Sequence, residues 1–433
     1  MEAEESVRRN PYKDGPFWGI CIGHAFTHWY PASMYILLPY IIIAYDFSII
    51  QAGLLLTIKS VVNAILGMPI GALTDMTRKK NVLLALSLVL VGLPFLFIGF
   101  VEEYWLFALL FIVMGFGNQF WHPASYSTLS ARFPGQRGLT FGYHAMASNL
   151  GDMVAPIVVG ALIVIYSWQE IIFWNFAPGA LFGMFILIAL RKMNVDTSSK
   201  HVNVKAESEV ASGISIHSEA DHTNALKNYL QGLKQLFRNR SVLLIAVLSG
   251  IRAMAQSGIM ILLPLYLALQ IGLNALWVGI TLAVLQGGGL IAAPIVGTLS
   301  DKAGPRRILT VTMIITSVMI VIVSFIRNDW ILIGTIAVLG FFLYAIRPVL
   351  QAWAMESTDE KMAGTTTSLL FTIQAIMGSS SPIIGTYLAQ TFSYSVAFYF
   401  LAIVILAGNL VLPLIPKSHQ DIMKSKKSIA KPA

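Results

Sequence analysis

The chain has 433 residues, of which 56% are hydrophobic and only 12% charged, with a formal net charge of +8. A water-soluble domain carries about a quarter of its residues as Asp, Glu, Lys or Arg, so this composition excludes a soluble globular protein and points to the bilayer. The one cysteine, Cys21, excludes an intrachain disulfide.

About 20 apolar helical residues cross a bilayer core. Residues 17–44 contain no Asp, Glu, Lys or Arg and form the first expected span; 52–73 follow with the single charge Lys59. Residues 82–101 and 104–131 are charge-free, 138–169 carry only Asp152, and 171–190 are again charge-free. In the second half, 241–300 carry only Arg252 and break at Gly272-Leu273-Asn274, so they form a hairpin of two spans. Residues 308–326 are charge-free and 330–355 carry only Arg347. Residues 362–416 hold no charge and break near Ser393, a second hairpin. The expected fold is an all-α membrane protein of twelve transmembrane helices.

Basic residues favour cytoplasmic loops. With an internal N-terminus, all but four of the 29 Lys and Arg fall on internal segments; the exceptions are Arg327 on an external turn and the intramembrane Lys59, Arg252 and Arg347. Asp46, Glu102, Glu103 and Glu170 fall on external turns. Both termini are therefore expected in the cytoplasm, and the positive charge reads as topology, with no nucleic-acid partner implied. The first span is too long for a signal peptide. The four parts are expected at 1–190 and 241–416 (two bundles of six helices), 191–240 (a cytoplasmic linker) and 417–433 (a basic tail). In the linker, Leu226, Tyr229, Leu230, Leu233 and Phe237 share one helical face beside Lys227, Lys234 and Arg238, the pattern of a helix lying on the inner membrane surface.

The halves repeat at an offset of 225 or 226: Ile36-Leu37-Leu38-Pro39 returns as Ile261-Leu262-Leu263-Pro264, Pro69 as Pro294, Asp75 as Asp301, His122-Pro123 as Arg347-Pro348, and Pro156 as Pro382. A parallel repeat of six spans implies two bundles related by a pseudo-twofold axis along the membrane normal, with substrate between them near mid-depth.

Two loops sit at the repeat offset, GALTDMTRKK from Gly71 and GTLSDKAGPRR from Gly297. Both resemble the G-x-L-x-D-x-x-G-[RK]-[RK] loop of the major facilitator superfamily, and the resemblance extends over essentially the whole chain. The first copy has Arg78 where glycine is usual; the second keeps Gly304. The resemblance implies that Gly71, Asp75, Arg78, Gly297, Asp301 and Arg306 latch helix ends and set the balance between inward-open and outward-open states. The stretch GYHAMASNLGDMVAPIVVG, with Gly142, Gly151, Ala155-Pro156 and Gly160, is similar to the antiporter signature of the superfamily's exporters, with Ala155 and Val159 where that signature has glycine. Together with GHAFTHWYPASMYILLP and HPASYSTLSARFPGQRGLTFGYHAMASNLGD, it resembles the fosmidomycin resistance branch, which implies export of drugs in exchange for protons. His24 fits that branch's helix 1 histidine; His28 stands where aspartate is common.

Polar groups inside a bilayer are expensive and mark functional sites. His24 and His28 lie four apart on one face of the first span, and Asp152 is the only carboxylate well inside a span. An imidazole titrates near pH 6.5 when unperturbed, so Asp152, His28 and His24 are the proton-coupling candidates. Arg252 lies about 16 Å into the seventh span, too deep for easy snorkelling, and Arg347 stands where His122 stands in the other half. With His28, Asn118, Gln119 and Gln351 they make the expected substrate-binding set. One of the two arginines is a candidate partner for Asp152, which leaves the other to an anionic substrate. Trp29, Tyr30 and Trp121 either line the cavity or pack.

No Cys/His cluster has metal-ligand spacing, no glycine loop suits a nucleotide, and no G-x-S-x-G elbow is present. The expectation is therefore no enzyme, no cofactor and no metal. The chain is expected to act as a monomer in the plasma (inner) membrane, exporting a small organic molecule by proton exchange. An importer or uniporter of an organic anion is the alternative, and a sensor without transport a third.

Overall fold

The computed structural model describes residues 10–77, 79–133, 136–190, 239–358 and 363–416. The expected linker helix, the tail and Arg78 lie outside them. Among the described residues the chain is almost entirely helical. The twelve long helices are α1 (Gly15–Tyr45), α2 (Ile49–Met76), α3 (Lys80–Phe97), α4 (Tyr104–Arg132), α5 (Arg137–Ile163), α6 (Trp168–Ala189), α7 (Arg240–Leu265), α8 (Ala275–Ala303), α9 (Pro305–Val323), α10 (Asp329–Glu356), α11 (Ala363–Thr391) and α12 (Tyr394–Val411). Eleven are long and apolar enough to cross a membrane. The exception, α1, has the length, but His24, His28 and its tyrosines and prolines dilute its apolar content.

Local chemistry sets the helix ends. The expected break at 272–274 is a one-turn π-helix, Tyr266–Ile271, closed by Gly272 at φ 81°, after which Asn274 caps α8 by accepting from the Trp277 N–H. A residue with Cβ is strained in that left-handed region, so glycine fits the turn. Asn239, Asn328 and Ser393 cap α7, α10 and α12 in the same way. Ser167 and Glu170 form a reciprocal capping box at the start of α6.

By contact, the described residues form two compact units. One lies within Met1–Leu37, Val62–Ala155 and Leu162–Asn228, the other within Leu38–Val61, Pro156–Ala161 and Tyr229–Ala433. The first unit has an aromatic-rich core in which Phe17, Ile20, Leu84, Leu88, Trp121 and Phe133 are buried together. Its α1 begins at a polar anchor. Asp14 accepts from the Phe17 N–H and also takes a bidentate bond from Arg132 at the end of α4, with the closest approach 2.6 Å from Nη2 to Oδ2. In the second unit α7 packs on α11, and α8 on α10.

Candidate functional site

In the first unit, α1, α4 and α5 bring five titratable side chains together. The cause is a close helix contact. A Cβ at Gly151 would collide with the backbone carbonyl of Ala25, so only glycine lets α5 lie this near α1. One residue on, Asp152 meets His28, with Nδ1 to Oδ2 at 2.9 Å. Both side chains are partly exposed, 31% for His28 and 23% for Asp152, so the pair is open to exchange with its surroundings.

One helical turn before His28, His24 is 2% exposed. Its Nδ1 lies 2.7 Å from the carbonyl oxygen of His144. A carbonyl can only accept, so Nδ1 carries the proton and donates, and Nε2 keeps its lone pair. That Nε2 is buried with no hydrogen-bond partner. The His144 ring stacks on His24 at 3.7 Å between centroids, and its Nε2 accepts from the Trp121 indole N–H at 3.2 Å. His122 completes the group, its ring 5.1 Å from His24 and 6.3 Å from His28.

The second unit holds a fixed cation. Arg252 on α7 is 3% exposed. It donates from Nη1 to the Gln256 amide oxygen one turn along, and from Nη2 to the Gln374 amide oxygen of α11 at 3.2 Å. Its Nε is buried without a partner. Both partners are neutral, so the guanidinium charge has no carboxylate against it among the described residues. On α10, Arg347 is exposed, its guanidinium 6.0 Å from the centre of the Phe371 ring, with half-buried Gln351 one turn on.

The expected histidines and Asp152 thus come together. Asp152 pairs with His28, where an arginine partner had been one alternative. Half-buried Asn118 and Gln119 lie on α4, and the Gln119 amide oxygen faces Gly67 of α2. Trp121 and Tyr30 are fully buried and pack, and Trp29 bonds Asn175 of α6 at 2.6 Å. Of the latch residues, Asp75 sits on α2, and Asp301 is exposed in the last turn of α8 beyond Gly297. Arg306 donates to the Ile415 carbonyl at 2.5 Å.

Three residues of these clusters went unremarked in the sequence: His144, Gln256 and Gln374. His144 precedes Asp152 by eight residues, two helical turns, and Gln256 follows Arg252 by four; both spacings place partners on one helix face.

Comparison with known proteins gives the same architecture. The Major Facilitator Superfamily profile matches residues 20–382 and 290–433. Multidrug resistance protein MdtG of Enterobacter lignolyticus (strain SCF1) is 24% identical over 359 residues, covering 82% of this chain and 80% of that protein. MdtG of Salmonella arizonae is 25% identical over 360 residues, covering 82% of each. Among solved structures, a bacterial homologue of the human lysosomal transporter Spinster superposes with a TM-score of 0.73 at 14% identity, covering 98% of this chain and all of that one. A POT family transporter in complex with a thioalcohol-conjugated peptide gives 0.68 at 14%, covering 96% of each. The profile spans most of both halves, and the chain belongs to the Major Facilitator Superfamily.

Proposed function

We propose that this transporter exports small organic molecules in exchange for protons, with the His28–Asp152 pair as the proton carrier and His24 beside it. The carrying observation is the 2.9 Å contact between an imidazole and the only carboxylate well inside a span. Charge at that depth is stable only when paired. As imidazolium and carboxylate the two balance; one further proton on the carboxylate releases His28 and leaves a net positive charge. Cargo entering beside the pair shifts that balance, which couples cargo to proton by alternating access. The relatives named multidrug resistance proteins and the resemblance to the fosmidomycin resistance branch support efflux as the direction. His122, Asn118 and Gln119 on α4 supply hydrogen-bonding groups for cargo, and the loops of Gly71, Asp75, Arg78, Gly297, Asp301 and Arg306 set the conformational balance. In this reading the protein is a monomer in the inner membrane with both termini cytoplasmic.

The test is uphill transport in sealed vesicles with an imposed pH gradient, using dyes and phosphonates as cargo. Asp152→Asn and His28→Ala should each lose proton-driven accumulation while keeping downhill exchange. Retention of uphill transport by both variants rejects the assignment.

A second reading, uptake or facilitated movement of an organic anion, is favoured by Arg252. A buried guanidinium held only by amide oxygens lacks a counter-charge, and a carboxylate or phosphonate matches its fork; Arg347 and Gln351 would extend that set. Charged and neutral analogues of one compound discriminate: equal affinity for both, unchanged in Arg252→Gln, removes the anion from the account.

A further inference from the structure

We propose that His24, His28 and His122 form a binding site for a divalent transition-metal ion of the zinc and cobalt class. This goes beyond the transport reading and does not rest on it.

One nitrogen from each of the three rings lies within 4.8 Å of the other two. A tetrahedral zinc ion with nitrogens at about 2.0–2.1 Å holds them roughly 3.3 Å apart. Binding would draw the three nitrogens together by up to about 1.5 Å. No metal-ligand spacing in the sequence announces the site, because two ligands come from α1 and one from α4.

The outer shell is already built for a metal. A ligating histidine donates its other ring N–H to a carbonyl or carboxylate, which fixes the tautomer and turns the second lone pair outward. His24 does this to the His144 carbonyl at 2.7 Å and His28 to Asp152 at 2.9 Å. With both rings neutral, as metal binding requires, Nε2 is left as the acceptor in each.

The independent observation is His24 Nε2 itself, buried, with no hydrogen-bond partner. Buried acceptors in folded proteins are nearly always satisfied. A cation bound through Nε2 would satisfy this one.

The ligand chemistry selects the ion. Three imidazoles suit zinc, cobalt, nickel or copper(II), whereas magnesium and calcium take oxygen ligands and copper(I) prefers sulfur. Three protein ligands leave a fourth position for water or for an anion.

Cobalt(II) is the probe, because a four-coordinate site gives intense visible ligand-field bands and a six-coordinate aquo ion does not. The full chain is purified without a polyhistidine tag. Four of its eight histidines, His201, His217, His222 and His419, lie in the linker and tail and are replaced by alanine to give the background protein. Titration of that protein should give a four-coordinate spectrum saturating at one ion per chain, with zinc displacing cobalt. His28→Gln and His122→Gln should each weaken binding at least tenfold. Asp152→Asn, which keeps all three ligands but loses an orienting partner, should weaken it roughly 10–100-fold. Size-exclusion profiles matching the parent establish that the variants fold. No saturable binding in the background protein, a six-coordinate spectrum, or binding unchanged in both His28→Gln and His122→Gln overturns the proposal. Because binding is measured in detergent without a gradient, failure here leaves proton-coupled transport standing, and failure of the vesicle assay leaves the metal site standing.

Discussion

The close approach of α1 and α5 at Gly151 positions the His28–Asp152 pair, and its sign can be tested against another glycine of the same helix. Replacing a mid-helix glycine by alanine normally stabilises by about 0.5–1 kcal/mol, through lower backbone entropy in the unfolded chain. At Gly142 nothing lies within 4 Å of an added Cβ, so Gly142→Ala should show that gain and leave transport unchanged. At Gly151 the added Cβ meets the Ala25 carbonyl oxygen, its carbon and its Cα, all backbone atoms that cannot swing aside. Overpacking of this kind costs about 1–3 kcal/mol, which exceeds the entropic gain, so Gly151→Ala should be less stable by about 1–2 kcal/mol. Relief of the clash requires α5 to move off α1 by roughly 1 Å. That lengthens the 2.9 Å His28–Asp152 contact to about 4 Å, beyond hydrogen-bonding range. Uphill transport should then fall at least tenfold while downhill exchange survives. Thermal unfolding of both variants, read beside proton-driven uptake in vesicles, tests the chain of reasoning. If Gly151→Ala melts higher than the parent, as Gly142→Ala should, the tight contact does not exist.

Other perturbations have equally definite outcomes. Arg132→Ala strips the bidentate partner from Asp14, whose carboxylate side chain is only 6% exposed, and should cost about 3–5 kcal/mol; Arg132→Lys, without the fork, should fall between the two in a thermal melt. Gly272→Ala forces a Cβ into the turn at φ 81° and should destabilise the α7–α8 hairpin by about 1 kcal/mol or more. Ser167→Ala removes the capping box of α6 and should cost about 1 kcal/mol, seen as faster amide exchange at Trp168 to Ile171 with transport unaffected.

Stretches with at most one charge located all twelve helices, and Gly272 and Ser393 marked the two hairpin turns, because crossing a bilayer demands a long apolar stretch. What the sequence hides is orientation about each helix axis. A helix surrounded by lipid and by other apolar helices carries no polar face to mark the side that meets a neighbour. Hence Gly151 could be noted as small but not matched to Ala25, and nothing in the sequence joined Asp14 to Arg132 although they close on one another. The few polar side chains escape this limit in part: His28 and Asp152 were each legible as candidates, but their pairing was not. Their contrast with the second unit follows from the same accounting of charge. At the repeat offset His28 corresponds to Ala253, and Thr27 to Arg252, so duplication kept the helices and let the chemistry diverge. The first unit holds imidazoles and a carboxylate, side chains whose charge depends on a bound proton. The second holds a guanidinium, whose charge is fixed. A switchable charge suits the driving ion and a constant one suits recognition of cargo, and that division is the reason to look for the proton at Asp152 and for an anionic group on the cargo at Arg252.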